Sequence, residues 1–173
     1  MSNIVLVGMP GCGKSTVGVL LAKALGMDFV DTDVVLQAKE GRMLQSIIEE
    51  IGVDGFLEKE EEAILGLDCE NTVVATGGSV IYGARAMKHL HKSGMVIYIR
   101  LPYAEIERRL SNLATRGVTL REGQTLEMLY QERIPLYERE ADLVFEGENS
   151  CLDQTVAALA RRIEAMSGVR HGR

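Results

Sequence analysis

Residues 3–16 read NIVLVGMPGCGKST. The apolar run Ile4-Val5-Leu6-Val7 is short and β-branched, as a buried strand is. It stops at Gly8, and from there Gly8, Gly13, Lys14 and Ser15 fit the spacing G-x-x-x-x-G-K-[ST]. A helical period follows at once, with Val17, Leu20, Leu21, Ala24 and Leu25 on one face. Strand, glycine loop and helix in that order predict a phosphate-binding loop (P-loop). Gly8, Gly11 and Gly13 lack a Cβ, so the backbone can turn sharply and bring its N–H groups to phosphate oxygens. The loop feeds a helix N-terminus, where unpaired N–H groups and the dipole favour an anion. Gly11, Cys12, Gly13, Lys14, Ser15 and Thr16 are therefore the expected nucleotide-binding residues. Lys14 supplies a point charge near the β- and γ-phosphates, and Ser15 a hydroxyl for Mg²⁺.

The 173 residues carry a net charge of −6, with 46% hydrophobic and 25% charged positions. That length predicts one domain, 1–173, with a sizeable core. The acidic balance argues against a general nucleic-acid surface, which needs a basic stripe. Tryptophan is absent and only 5% of residues are aromatic, which argues against a base-stacking platform. No apolar segment is long enough to span a bilayer. The first strand begins at residue 4, so no signal peptide is expected before it. Cys12, Cys69 and Cys151 lack metal-ligand spacing and suit a reducing cytoplasm. The expected form is a cytoplasmic monomer with small-molecule partners, no nucleic acid and no membrane.

Four further apolar runs, at 27–30, 72–76, 95–101 and 142–145, read as strands. Helical stretches are expected at 34–39, 43–50, 54–67, 84–91, 102–110, 125–139 and 152–166. Pro135 should kink or interrupt the helix over 125–139. Strands alternating with helices predict an α/β fold with a five-stranded parallel sheet. Ligands of such sheets bind beyond the carboxyl ends of the strands. This puts residues 8–15, 31–33 and 77–79 on one rim. The acids at a suitable strand end are Asp31 and Asp33. Residues 112–124, NLATRGVTLREGQ, lack a period and hold two glycines. Loops of that length are functional or mobile. His89 and His91 read as surface residues. A P-loop, an arginine-bearing loop and no N-K-x-D motif point to a small-molecule phosphotransferase.

The blocks GMPGCGKST at 8–16, DTD at 31–33, ATGG at 75–78, Arg116 in the long loop and ERIPLY at 132–137 resemble shikimate kinases in order and spacing. The resemblance covers nearly the whole chain. It implies a three-layer P-loop kinase fold, with an acceptor-binding helical segment at 33–67 and a mobile lid at 112–124. It also implies ATP- and Mg²⁺-dependent phosphorylation of a ring hydroxyl, with shikimate as acceptor. Lys14, Asp33 and Arg116 would then be catalytic. Asp31 would join Ser15 in holding Mg²⁺. Asp33 would orient the acceptor hydroxyl, Gly77 and Gly78 would let the substrate approach the backbone, and Arg133 would pair with the acceptor carboxylate. Arg116 would close over the nucleotide phosphates from the lid. Such transfer is mostly positioning and neutralisation of charge, with water excluded by closure. Plainer readings stand beside these: Asp31 and Asp33 as helix caps, Arg116 as a solvated loop residue, and Arg133 as one member of a charged helix face.

The chain departs from that family on the acceptor side. Where the family carries Phe-Arg-x-x-Glu, residues 56–60 read FLEKE, so Leu57 replaces an arginine. Leucine offers none of the charge-assisted hydrogen bonds of a guanidinium. Glu60, which would brace that arginine, is expected to lose its partner. Lys59 or Arg42 are candidates to replace the missing charge. Ser79 stands for a third glycine, where its hydroxyl would bond or crowd a substrate, and Gly117 stands for a lid proline. Two rival readings follow: a related kinase with another small acceptor such as a sugar acid, and a non-catalytic ATP-binding regulatory protein.

Overall fold

In the computed structural model, which describes residues 2–111, 118–147 and 151–170, five strands form one parallel sheet. They are β1 (Asn3–Val7), β2 (Asp28–Asp31), β3 (Thr72–Ala75), β4 (Gly94–Arg100) and β5 (Leu143–Glu146), in the order β2-β3-β1-β4-β5. Every pairing is parallel. The central β1 is buried at every position. A strand covered on both faces has no polar side to alternate with, hence the unbroken apolar run.

Helix α1 (Lys14–Leu25) carries the chain from β1 across β3 to β2. Helix α4 (Ala84–Ser93) carries it from β3 past β1 to β4. The crossovers run in opposite directions, so right-handed connections put them on opposite faces of the sheet. The reversal between β1 and β3 opens a crevice beyond their carboxyl ends. Helix α7 (Leu152–Arg170) packs on α1, and α3 (Leu44–Leu65) packs on both α4 and α2 (Thr32–Glu40). A small separate core of Leu36, Ile47, Phe56 and Ala63 ties α2 to α3. A 3₁₀ turn at Val80–Tyr82 and helices α5 (Tyr103–Ser111) and α6 (Leu126–Glu140) complete the described elements.

The two helical stretches expected at 43–50 and 54–67 are the halves of α3, broken at Gly52 where φ is 72° and ψ is 177°. Pro135 does not end α6, which continues to Glu140. The proline forfeits one helical hydrogen bond, and the buried Leu129, Tyr130, Arg133 and Tyr137 hold the helix in place around it. His89 is half-buried rather than on the surface, with Nε2 3.1 Å from the carbonyl of Leu67. Among the described residues no helix is long and apolar enough to cross a membrane.

Candidate active site

The crevice holds a cavity of about 550 Å³, lined on one side by the loop from Pro10 to Thr16 and on the other by Asp33, Phe56, Glu60, Gly77, Gly78 and Ser79. The loop turns into α1 at Gly13, whose φ of 95° puts the backbone in the left-handed region. Val17 N–H is the first to find the helical ladder, bonding Gly13 O at 2.9 Å. The N–H groups of residues 13–16 therefore lack a partner in the helical ladder, as at any helix start. Lys14 is buried, and its ammonium donates to the carbonyls of Gly8 at 2.8 Å and Met9 at 2.9 Å. Cys12 is buried too, its Sγ 3.7 Å from that ammonium.

Ser15 donates its hydroxyl to Asp31 Oδ2 at 2.5 Å. The other oxygen of Asp31 accepts from Asp33 N–H at 2.9 Å and Val34 N–H at 3.4 Å. Asp31 thus caps α2 and faces the P-loop at once: the two readings of this residue coexist. Two hard oxygen donors side by side suit a small divalent cation such as Mg²⁺.

The acceptor side gathers around Gly77. A Cβ there would overlap Glu60 Oε1 and come within 2.9 Å of Asp33 Oδ1. Burial and the neighbouring Asp31 charge push the Asp33 carboxyl up to about 6, against the lowering effect of Lys14. A Cβ on Gly78 would meet Pro10 Cδ at 2.7 Å and Arg133 Nη1 at 3.0 Å. Gly78 itself is fixed by the hydroxyl of Tyr137, which donates to its carbonyl at 2.5 Å. Both glycines are therefore required by close approach.

Arg133 is only 1% exposed. Its Nη2 donates to Thr119 Oγ1 at 2.7 Å, its Nε to the Tyr82 hydroxyl at 3.4 Å, and its plane lies 5.3 Å over the Tyr82 ring. All these partners are neutral. Among the described residues no carboxylate pairs with this buried guanidinium.

Glu60 is not left without a partner. Ser79 donates its hydroxyl to Oε2 at 2.6 Å, and Ser79 is as deeply buried as Glu60. The added hydroxyl of residue 79 is thus turned inward to the carboxyl rather than toward a substrate. Leu57 lines a second, smaller hollow with Thr119, Arg121 and Arg133. Neither candidate replacement cation is there: Lys59 pairs with Glu40 at 3.5 Å and Glu62 at 3.7 Å, and Arg42 pairs with Glu50.

Two residues escaped the sequence reading. Arg108 and Arg109 line the main cavity. Arg109 donates to Glu105 at 2.6 Å and to the Gly11 carbonyl at 3.3 Å, which lays its guanidinium along the P-loop. An Arg-Arg pair ending a helix just before a long loop was the available signal. Behind Arg109 a cavity of about 210 Å³ runs between Cys12, Thr16, Leu101, Gly147 and Leu152. Arg116 and Gly117 lie outside the described residues.

The family model for shikimate kinase matches residues 10–164. The chain is 35% identical over 170 residues to a shikimate kinase of Thermodesulfovibrio yellowstonii, covering 96% of this chain and 98% of that one. It is 36% identical over 176 residues to a shikimate kinase of Chlorobium chlorochromatii, covering 94% and 91%. Among solved structures it superposes on the shikimate kinase from Acinetobacter baumannii in complex with shikimate, with a TM-score of 0.86, 31% identity and coverage of 100% and 96%.

Proposed function

The chain belongs to the shikimate kinase family, and from that premise we propose that it moves the γ-phosphate of ATP to a ring hydroxyl of shikimate. The observation that carries the acceptor side is Arg133. A buried guanidinium whose partners among the described residues are neutral is costly, and an acceptor carboxylate arriving beside Gly78 would neutralise it. Asp33, across Gly77 from there, would take the hydroxyl proton or orient the hydroxyl for attack. Its raised carboxyl suits a base working near neutrality.

On the donor side, the N–H groups of residues 13–16 would cradle the phosphates. Lys14 would exchange its hold on the Gly8 and Met9 carbonyls for phosphate oxygens. Ser15 and Asp31 would hold Mg²⁺, which when bound neutralises charge on the transferring group. Arg116 belongs to the same reading, as the cation delivered by a lid over 112–124. Arg109 and the cavity from Cys12 to Leu152 would seat the nucleoside end. The reading also takes the enzyme to be a cytoplasmic monomer.

A second acceptor class is favoured by one residue. With Leu57 in place of an arginine, the carboxylate is met by Arg133 alone, which costs roughly 1.5–3 kcal/mol per lost charged hydrogen bond. A sugar acid or polyol with its carboxylate elsewhere, or none, would lose less. The test is ADP release with Mg·ATP and shikimate titrated to high millimolar, beside a panel of sugar acids and polyols. Turnover on shikimate with a high KM is expected. Turnover confined to another acceptor overturns shikimate. ATP binding with no turnover on any acceptor overturns the kinase reading.

A further inference from the structure

Glu60 is a buried carboxyl with its two oxygens differently served. Oε2 accepts the Ser79 hydroxyl at 2.6 Å, a short charge-assisted geometry. Oε1 has no partner among the described residues and lies against Gly77, beside Asp33. A buried carboxyl without donors is unfavourable and poorly held. On α3, Leu57 sits three residues earlier, where it supplies no donor. The donor comes instead from the turn after β3, nineteen positions along the chain.

Resting on the kinase reading above, we propose that Ser79 is a positioning residue for the transfer. Its hydroxyl holds Glu60 so that Oε1 stays at the edge of the acceptor cavity next to Asp33, the task that a guanidinium at position 57 would otherwise perform. Leu57 and Ser79 are then one functional pair, and each is explained by the other. The site recognises its acceptor more through hydroxyls, by Asp33 and Glu60, and less through the carboxylate, by Arg133 alone. The charges facing Glu60 agree with a carboxyl that needs this donor. Burial and Asp33 raise its affinity for a proton, up to about 7, while the Ser79 hydroxyl, Arg133 and Lys14 oppose them.

The experiment compares the wild type, Ser79→Ala, Leu57→Arg and the double variant. In the wild-type background, Ser79→Ala is expected to lower kcat/KM on shikimate about tenfold, the cost of one lost hydrogen bond to a charged group. In the Leu57→Arg background the same change is expected to cost less than twofold, because the new guanidinium takes over Glu60. Independently of any substrate, ¹³C NMR titration of the Glu60 carboxyl is expected to show a higher midpoint in Ser79→Ala and a lower one in Leu57→Arg. Equal losses in both backgrounds, or an unmoved Glu60 midpoint in Ser79→Ala, overturn the proposal. If the wild type does not turn over shikimate, the acceptor assignment fails on its own, and the titration still decides the role of Ser79.

Discussion

Thr119 Oγ1 lies 2.7 Å from Arg133 Nη2, with the threonine 3% and the arginine 1% exposed. A residue within 112–124 therefore holds the guanidinium that lies behind Gly78. Thr119→Val keeps the shape and removes the acceptor oxygen. It is expected to raise KM for the phosphoryl acceptor about five- to tenfold while KM for ATP stays within twofold. Steady-state kinetics with each substrate varied in turn separate the two, and an equal rise in both would contradict the assignment.

Arg133→Met should divide function from stability. On the proposed reading Arg133 meets the acceptor carboxylate, so its removal is expected to cut kcat/KM at least a hundredfold. Removing a buried charge whose partners among the described residues are neutral should leave the ligand-free Tm unchanged or higher. Calorimetry of the empty protein checks this, and a large drop in Tm would mean that Arg133 is mainly structural.

Asp31→Asn tests the metal pair. Asparagine is as good a helix cap as aspartate, so α2 should persist and Tm should change little. The charge beside Ser15 is lost, so the Mg²⁺ concentration for half-maximal activity should rise several-fold. An unchanged Mg²⁺ requirement would remove Asp31 from the metal site.

Glu60 gives a pH dependence with a definite sign. Its folded-state value of about 7 lies above its ordinary 4.5, so the folded chain holds this proton more tightly than the unfolded one. Stability from this group is fully present below about pH 4.5 and is lost as pH rises through about 7. Glu60→Gln cannot ionise. Its Tm relative to wild type should therefore improve between pH 5 and pH 8.5, by up to about 3 kcal/mol in unfolding free energy. A difference that does not vary with pH would show that Glu60 is not perturbed.

Gly77→Ala probes the close approach at the centre of the site. The new methyl would overlap Glu60 Oε1 and crowd Asp33, and Glu60 cannot withdraw without leaving Ser79. A loss of at least a hundredfold in kcat/KM is expected, with ATP affinity kept. Near wild-type turnover would show that the glycine is not needed for space.

The parts of this site that were legible in the sequence are those written in consecutive residues. The P-loop shows itself because a strand, three glycines and a helix period must follow one another along the chain. Asp31 and Asp33 show themselves because a carboxylate at a strand end stands out against apolar neighbours. The Ser79–Glu60 bond was not legible. It spans two elements, and its geometry depends on how α3 resumes after Gly52 and packs through Phe56 and Ala63. Arg109 escaped for the same reason: its contact with Gly11 joins positions 98 apart. Helix α6 read as kinked or interrupted because Pro135 is judged locally, whereas Leu129 and Tyr137 hold it from both sides.

The buried charge of Arg133 bears on how long the protein lasts. On the proposed reading, a buried guanidinium whose partners among the described residues are neutral is relieved by an arriving acceptor carboxylate. A ligand that binds only the native state protects it by mass action, and degradation in cells follows the population that opens. On that reading the acceptor would double as a preservative of its own enzyme: scarcity upstream would thin the supply of kinase without any change in its synthesis.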